Sequence, residues 1–336
     1  MKKLITIILP AYNEEVNLPE AIRRVAAIII PLEFRYDFEI IVLDNASADR
    51  TGDIACAQCA SDSRWKYLRY ARNFGAEASM LAGLDHASGD AVINVFSDMQ
   101  DPPEKIPQMI ELWEQGTEIV YGIVQERNDY NILKTIGAMI AYKLIRHLAD
   151  CEIPVNATDF RLLDRRVVAV LREMREPDRY LRGLVHWLGF KQAGFKYDRA
   201  ARKGGQSSAN LIYCIKFALH AILSFSAKPL DFSVFFGAIL TAISLGLGFI
   251  YTLLFFFPAP FLLHPPPGIT TLFLLVLFTL GTQSMFLGII GQYVGRIYNQ
   301  GKRRPLYIVS SSIGLLATPT PAGAAEPRGS RERPSL

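Results

Sequence analysis

Leu4-Ile-Thr-Ile-Ile-Leu9 followed by Pro10-Ala-Tyr-Asn-Glu14 decides the fold. The first six residues are aliphatic or β-branched, lack polar alternation and stop at a turn signal. A strand buried on both faces of a parallel sheet reads this way. The run ends at Pro10 and the polar Asn13-Glu14-Glu15 follow, so Met1-Lys2-Lys3 does not open a signal peptide. Phe38–Leu43, Ala91–Phe96 and Ile119–Val124 repeat the strand pattern. Helical patterns lie between them near Glu15–Ile30, Asp49–Ser61, Ala76–Ala87 and Pro103–Gln115. This alternation predicts an α/β fold, a doubly wound and mostly parallel sheet with helices on both faces. A further short segment, Ala157–Leu163, is placed to extend the sheet. Ligands of such sheets bind at the carboxyl ends of the strands.

Further along, Phe232–Gly295 contains no Asp, Glu, Lys or Arg. It holds two apolar stretches, about 232–257 and 269–294, joined by the Pro-rich turn Pro258–Pro267. Each exceeds the roughly 20 residues needed to cross a bilayer core, so a C-terminal transmembrane hairpin is expected. Lys228 precedes it and Arg296, Lys302, Arg303 and Arg304 follow, while the turn has no charge. The positive-inside rule then places both termini and the enzyme-like domain in the cytoplasm, at the inner (plasma) membrane. The expected organisation is a catalytic domain over 1–205, interfacial helices over 206–231, the hairpin over 232–295, and a basic segment with a disordered tail over 296–336.

The 336 residues carry a formal charge of +4. Much of the excess flanks the apolar run, which points to membrane anchoring and not to nucleic acid. The four cysteines, Cys56, Cys59, Cys151 and Cys214, make no disulfide framework and read as small buried residues of a reducing compartment.

Four polar motifs follow strands. Pro10-Ala-Tyr-Asn-Glu14 faces the ligand crevice, or is a helix start with Asn13 as cap. Asp44-Asn45-Ala-Ser-Ala-Asp-Arg-Thr51 offers a carboxylate to a ribose or base, or is a turn capped by Ser47 or Asp49. Arg72-Asn-Phe-Gly75 sets a cation and flexible backbone beside the crevice, as a pyrophosphate needs, or is a solvated turn. Ser97-Asp-Met-Gln-Asp-Pro-Pro-Glu104 is the sharpest. Asp98 is the preferred ligand for Mg²⁺ or Mn²⁺, a hard cation held by one or two carboxylates plus phosphates. Asp101 could share it, or serve as an N-cap ahead of Pro102 and Glu104. Thr158-Asp-Phe-Arg161 is a functional pair or a structural salt bridge. Arg199, Arg202 and Lys203, with Gly204 and Gly205, form a basic loop for lipid headgroups or for one phosphate. No G-x-G-x-x-G follows the first strand, which weighs against nicotinamide and flavin.

In their order and spacing these motifs resemble the family-two inverting glycosyltransferases of GT-A fold, and more closely the polyprenyl-phosphate glycosyltransferases. The resemblance spans about Leu4 to Arg304. It implies an enzyme that moves a sugar from a nucleotide-diphosphate donor to a polyprenyl phosphate at the membrane face. It implies that Pro10, Tyr12 and Glu14 line the nucleotide pocket and that Asp44 and Asn45 contact the nucleoside side. Arg72 and Gln100 then belong with the diphosphate and sugar, and Asp98 with the metal. Asp101, Asp159, Arg199 and Arg202 are the implied catalytic and acceptor-side residues, and a homo-oligomer such as a tetramer is a further implication. Two positions depart from the family pattern, Phe96 and Asn45, where acids are usual. Rival readings are a processive synthase, a non-catalytic sugar-nucleotide binder or scaffold, and a nucleotidyltransferase. Two spans are few for the first, and no triphosphate-binding Gly-rich loop supports the last.

Overall fold

The structure, a computed structural model, describes residues 1–125, 154, 156–174, 181–199 and 268–315, with isolated positions between 235 and 249. In chain order its elements are β1 (Lys3–Ala11), α1 (Leu18–Ile29), β2 (Tyr36–Asp44), α2 (Thr51–Ser61), β3 (Trp65–Tyr70), α3 (Ala76–His86) and β4 (Ala91–Asn94). There follow α4 (Ile106–Glu114), β5 (Ile119–Val124), β6 (Ala157–Asp164), α5 (Arg165–Glu173), α6 (Leu181–Trp187), β7 (Gln192–Tyr197), α7 (Gly268–Gly301) and β8 (Val309–Ile313). They fall into two compact units, Met1–Asp98 with the chain from Tyr307 onward, and Met99–Leu306.

The first unit carries strands in the order β4-β1-β2-β3-β8. The first four are mutually parallel. β8 closes the outer edge antiparallel to β3, with Tyr67 opposite Ile313 and Tyr70 opposite Val309. The aliphatic runs lie where expected: Ile5, Ile7 and Leu9 of β1 and Ile40, Ile41, Val42 and Leu43 of β2 are sealed from solvent. Each such side chain contributes about 1.5–3 kcal/mol of burial. Helix α1 packs Leu18, Ala21, Val25 and Ile29, the three- and four-residue spacing of one helical face. Register aligns Ala11 with Asp44, Asp44 with Arg69, and Ile8 with Asn94. The loops after β1, β2, β3 and β4 therefore leave from one edge of the sheet.

In the second unit β5 lies between β7, parallel to it, and β6, antiparallel. The expected extension at Ala157–Leu163 is thus a strand. Helix α4 buries Ile106, Met109, Ile110 and Trp113. The Trp113 indole N–H donates to Asp164 Oδ2 at 2.8 Å, and Asp164 Oδ1 caps α5 by accepting from the Arg166 amide at 2.9 Å.

The 34-residue α7 covers the second expected span and exposes large apolar side chains such as Leu272, Phe278, Leu287 and Ile290. Counted over the described residues alone, no helix is long and apolar enough to cross a membrane. Most of the first expected span, the interfacial segment 206–231, and Arg202 with the rest of the basic loop beyond Arg199 lie outside the described residues.

Candidate active site

In the first unit the strand-end loops are tied to one another by their own polar groups. Near the end of β1 the Pro10 carbonyl accepts from the Ser97 hydroxyl at 2.7 Å, which ties that end to the loop after β4. The Asn13 amide N–H donates to Ser47 Oγ at 3.0 Å, and Asn13 Oδ1 accepts from the Ala48 amide at 2.9 Å. The Glu14 amide donates to Thr51 Oγ1 at 2.8 Å. Asn13 is therefore no helix cap: α1 starts five residues later, at Leu18 behind Asn17. The Glu14 carboxylate accepts from the Asn17 side chain at 2.6 Å. Tyr12 is about half exposed, at 48%.

Two of these loops hold a non-glycine residue in the left-handed region, Asn13 (φ 53°) and Ala46 (φ 61°), and Met99 (φ 57°) does the same at the start of the second unit. Such residues cost of order 1–3 kcal/mol each and persist where surrounding bonds over-determine them.

Asp44 has no exposed surface. Its Oδ1 accepts from the Ser47 amide at 2.7 Å, and its Oδ2 accepts from the Tyr67 hydroxyl at 2.7 Å and Arg69 Nη1 at 3.0 Å. Burial pushes the Tyr67 phenol up, and its bond to the Asp44 carboxylate pushes it further, so Tyr67 stays a donor. A Cβ at Gly52 would sit 2.9 Å from the Tyr67 oxygen, so glycine there leaves room for this triad. Asn45 spans to the next loop. Its Nδ2 donates to Asn73 Oδ1 at 2.9 Å, and its Oδ1 accepts from the Phe74 amide at 2.9 Å. Arg72 is exposed, with its guanidinium 4.1 Å above the Phe74 ring. Asp98 is half-buried at the end of the unit.

The second unit holds a mixed-charge cluster. Asp101 is buried, but not as a helix cap: a 3₁₀ turn occupies Pro103–Lys105 and α4 starts only at Ile106. Its Oδ1 instead accepts from the Tyr197 hydroxyl and lies 3.5 Å from Arg199 Nε. Tyr197 stands 3.2 Å from Thr158 Oγ1, and a Cβ at Gly122 would strike its ring at 2.5 Å. Gln100 is half-buried beside Asp101 in the chain. Asp159 is gripped by two guanidiniums, Arg161 and Arg182, the latter through Nη2 at 2.6 Å. Burial pushes the Asp159 carboxyl up, but Arg161 and Arg182, with a further pull from Arg199, hold it below the ordinary carboxylate range. Two carboxylates and three guanidiniums leave one positive charge in excess, an arrangement suited to an anion.

The cluster brings together Asp101, Asp159 and Arg199 of the expected residues. Arg182 and Tyr197 were not anticipated: Arg182 lies within a short helix and Tyr197 within a strand, and neither belongs to a strand-end motif. Among the described residues no group of three or more His, Cys, Asp or Glu side chains gathers as a metal cage.

A family model described as glycosyl transferase family 2 matches residues 6–172. The chain is 37% identical to the uncharacterized glycosyltransferase sll0501 of Synechocystis, over 93% of this chain and 96% of that protein. It is 34% identical to the uncharacterized glycosyltransferase YkcC of Bacillus subtilis, over 92% and 94%. It is 35% identical to the bactoprenol glucosyl transferase of Shigella phage SfII, over 92% and 98%. Among solved structures, glucosyl-3-phosphoglycerate synthase from Mycobacterium tuberculosis matches 66% of this chain and 78% of that one at 19% identity and TM-score 0.44, too remote to bear on chemistry.

Proposed function

This chain belongs to glycosyl transferase family 2, and from that premise we propose that it moves a sugar from a nucleotide-diphosphate donor to a polyprenyl phosphate at the cytoplasmic face of the inner membrane. One observation carries this reading. The match to a bactoprenol glucosyl transferase covers 92% of the chain, so about 8% stays unmatched, fewer residues than the charge-free Phe232–Gly295. The likeness therefore reaches into the apolar run and is not confined to the α/β core.

The two units divide the task. In the first, Pro10, Tyr12 and Glu14 border the nucleotide. Asp44 acts from beneath, since its oxygens already serve Ser47, Tyr67 and Arg69. Arg72 reaches the diphosphate from an exposed loop. In the second, Arg161, Arg182 and Arg199 supply the positive excess that an acceptor phosphate needs. Asp159, held ionised between two arginines, is a weak base. Its work is to orient those cations, because a phosphate nucleophile is already anionic near neutral pH. Such positioning supplies several kcal/mol of barrier reduction.

Asp98 and the donor phosphates fit a divalent ion, Mg²⁺ or Mn²⁺. A hard cation of this kind is held by one or two carboxylates and completes its shell with phosphate and water oxygens, and Asp98 would supply the carboxylate. When bound, the ion supplies positive charge against the leaving diphosphate.

The apolar stretches form a membrane hairpin in this reading. The rings of Phe236 and Phe286, one from each stretch, meet edge-on at 6.1 Å, a contact between the two stretches that this reading expects. Membranes bearing the chain, given a panel of labelled nucleotide sugars, should yield lipid-extractable label only with Mg²⁺ or Mn²⁺. Asp98→Ala should lower that label at least 100-fold. An unchanged rate overturns the metal assignment, and absence of label with every sugar overturns the acceptor.

A further inference from the structure

We propose that Asn45 is a positioning residue: its amide holds the Arg72 loop in the shape that receives a diphosphate. The inference rests on the reading of Arg72 as a diphosphate contact and adds how that contact is held. Arg72 is exposed, and within the loop its guanidinium donates to the Asn73 carbonyl at 3.2 Å. The loop that carries it is fastened from below. Asn45 is 5% exposed and rooted at the end of β2, where its backbone N–H donates to the Ala11 carbonyl at 2.9 Å. Its side chain then uses both ends of the amide: Oδ1 accepts from the Phe74 N–H, and Nδ2 donates to Asn73 Oδ1. Asn73 Oδ1 also accepts from the Gly75 N–H at 2.8 Å.

The orientation of both amides follows from chemistry alone. The Phe74 and Gly75 N–H groups can only donate, so each must face a side-chain oxygen. That leaves the Asn45 nitrogen, and only a nitrogen, to meet the Asn73 oxygen. A carboxylate at position 45 would set two acceptors 2.9 Å apart. Asn73 would have to turn away and release Gly75, whose φ of 90° gives the loop its shape ahead of α3. Asn45 is thus matched to Asn73 in the arrangement this chain adopts.

The test uses the detergent-solubilised full chain, with magnesium pyrophosphate as the probe in calorimetric titration. Asn45→Ala and Asn45→Asp should each weaken pyrophosphate binding about tenfold and speed hydrogen exchange in the peptide containing Phe74 and Gly75. Arg72→Ala should weaken binding by a similar factor, and the Asn45→Ala/Arg72→Ala double variant should be no weaker than Arg72→Ala alone. Additive losses, or wild-type binding by the Asn45 variants, overturn the proposal. Exchange separates the failures. If Arg72→Ala leaves binding unchanged while Asn45→Ala still loosens the loop, the Arg72 reading is what falls. If exchange does not change, the amide clasp falls. Asn73→Ala, at an exposed position, provides the same comparison should the Asn45 variants not fold; it must reproduce their loss of binding and faster exchange, and wild-type behaviour overturns the proposal.

Discussion

His186 is a buried base among positive neighbours. It lies in α6, 7% exposed, with its Nδ1 on the Gln192 side-chain oxygen and its ring edge-on to Tyr121 at 5.0 Å. Burial drives its ionisation down, the Gln192 bond opposes this, and Arg161 and Arg182 add to the fall, leaving it at about 4 instead of 6.5. The unfolded chain therefore takes up this proton first. Stability is intact above pH 6.5 and is lost as pH falls toward 4, a difference worth roughly 3 kcal/mol. Asp159 works in a lower window: its depressed carboxyl favours the fold above its ordinary value of 3.8 and loses that contribution below it. Denaturant unfolding between pH 7 and 4 should show the His186 loss, and His186→Gln should flatten the curve. An equally steep curve in that variant would assign the loss elsewhere.

Among the elements, β8 has the most to say about how the first unit is held. All five of its residues are exposed, and it is fastened by its pairing with β3 and by polar groups on it and beside it. The Ala71 amide donates to the Ile308 carbonyl at 2.9 Å, and the Ser310 hydroxyl donates to the Arg69 carbonyl at 3.1 Å. The Tyr307 hydroxyl donates to Asp85 Oδ2 at 2.9 Å, with its ring 5.9 Å from Tyr70 and 6.1 Å from His86. Tyr307→Phe keeps the ring and loses the bond, so unfolding should cost about 1–2 kcal/mol less than in the wild type. A variant with unaltered stability would show that the ring contacts alone hold the segment. This strand also marks what the sequence conceals. β1, β2, β4 and β5 are readable because a strand covered on both faces must be aliphatic throughout. Val-Ser-Ser-Ser-Ile, solvated at an edge, has no such requirement and looks like loop. The site divides in the same way. Strand-end motifs are local, so Asp44, Asn45, Arg72 and Asp98 stand out by position. Asp101 reads locally as a helix cap, because its real partner, Tyr197, lies 96 residues further on. Arg182 carries no local mark at all, since only the fold brings it to Asp159.

At the scale of the molecule, the pairing of β8 with β3 constrains the apolar run between them. Residues before and after that run belong to one sheet, so they end on the same side of any bilayer, and the number of crossings is even. Two stretches then cross as a pair or not at all. The flanking Lys228, Arg296, Lys302, Arg303 and Arg304 favour the cytoplasmic side for both ends. Membranes washed at alkaline pH should retain the whole chain, while a chain lacking 232–295 should be released. Retention of the shortened chain would mean that other surfaces carry the attachment.

The late arrival of β8 also bears on biosynthesis. β3 is complete at Tyr70, but the strand that covers its outer edge is made only about 240 residues later. At ordinary ribosomal speeds of about 5–20 residues per second, that edge waits roughly 10–50 s for its partner. An uncovered strand is a template for neighbouring polypeptides. Until β8 is made and pairs with it, the outer edge of β3 stays open to other polypeptides.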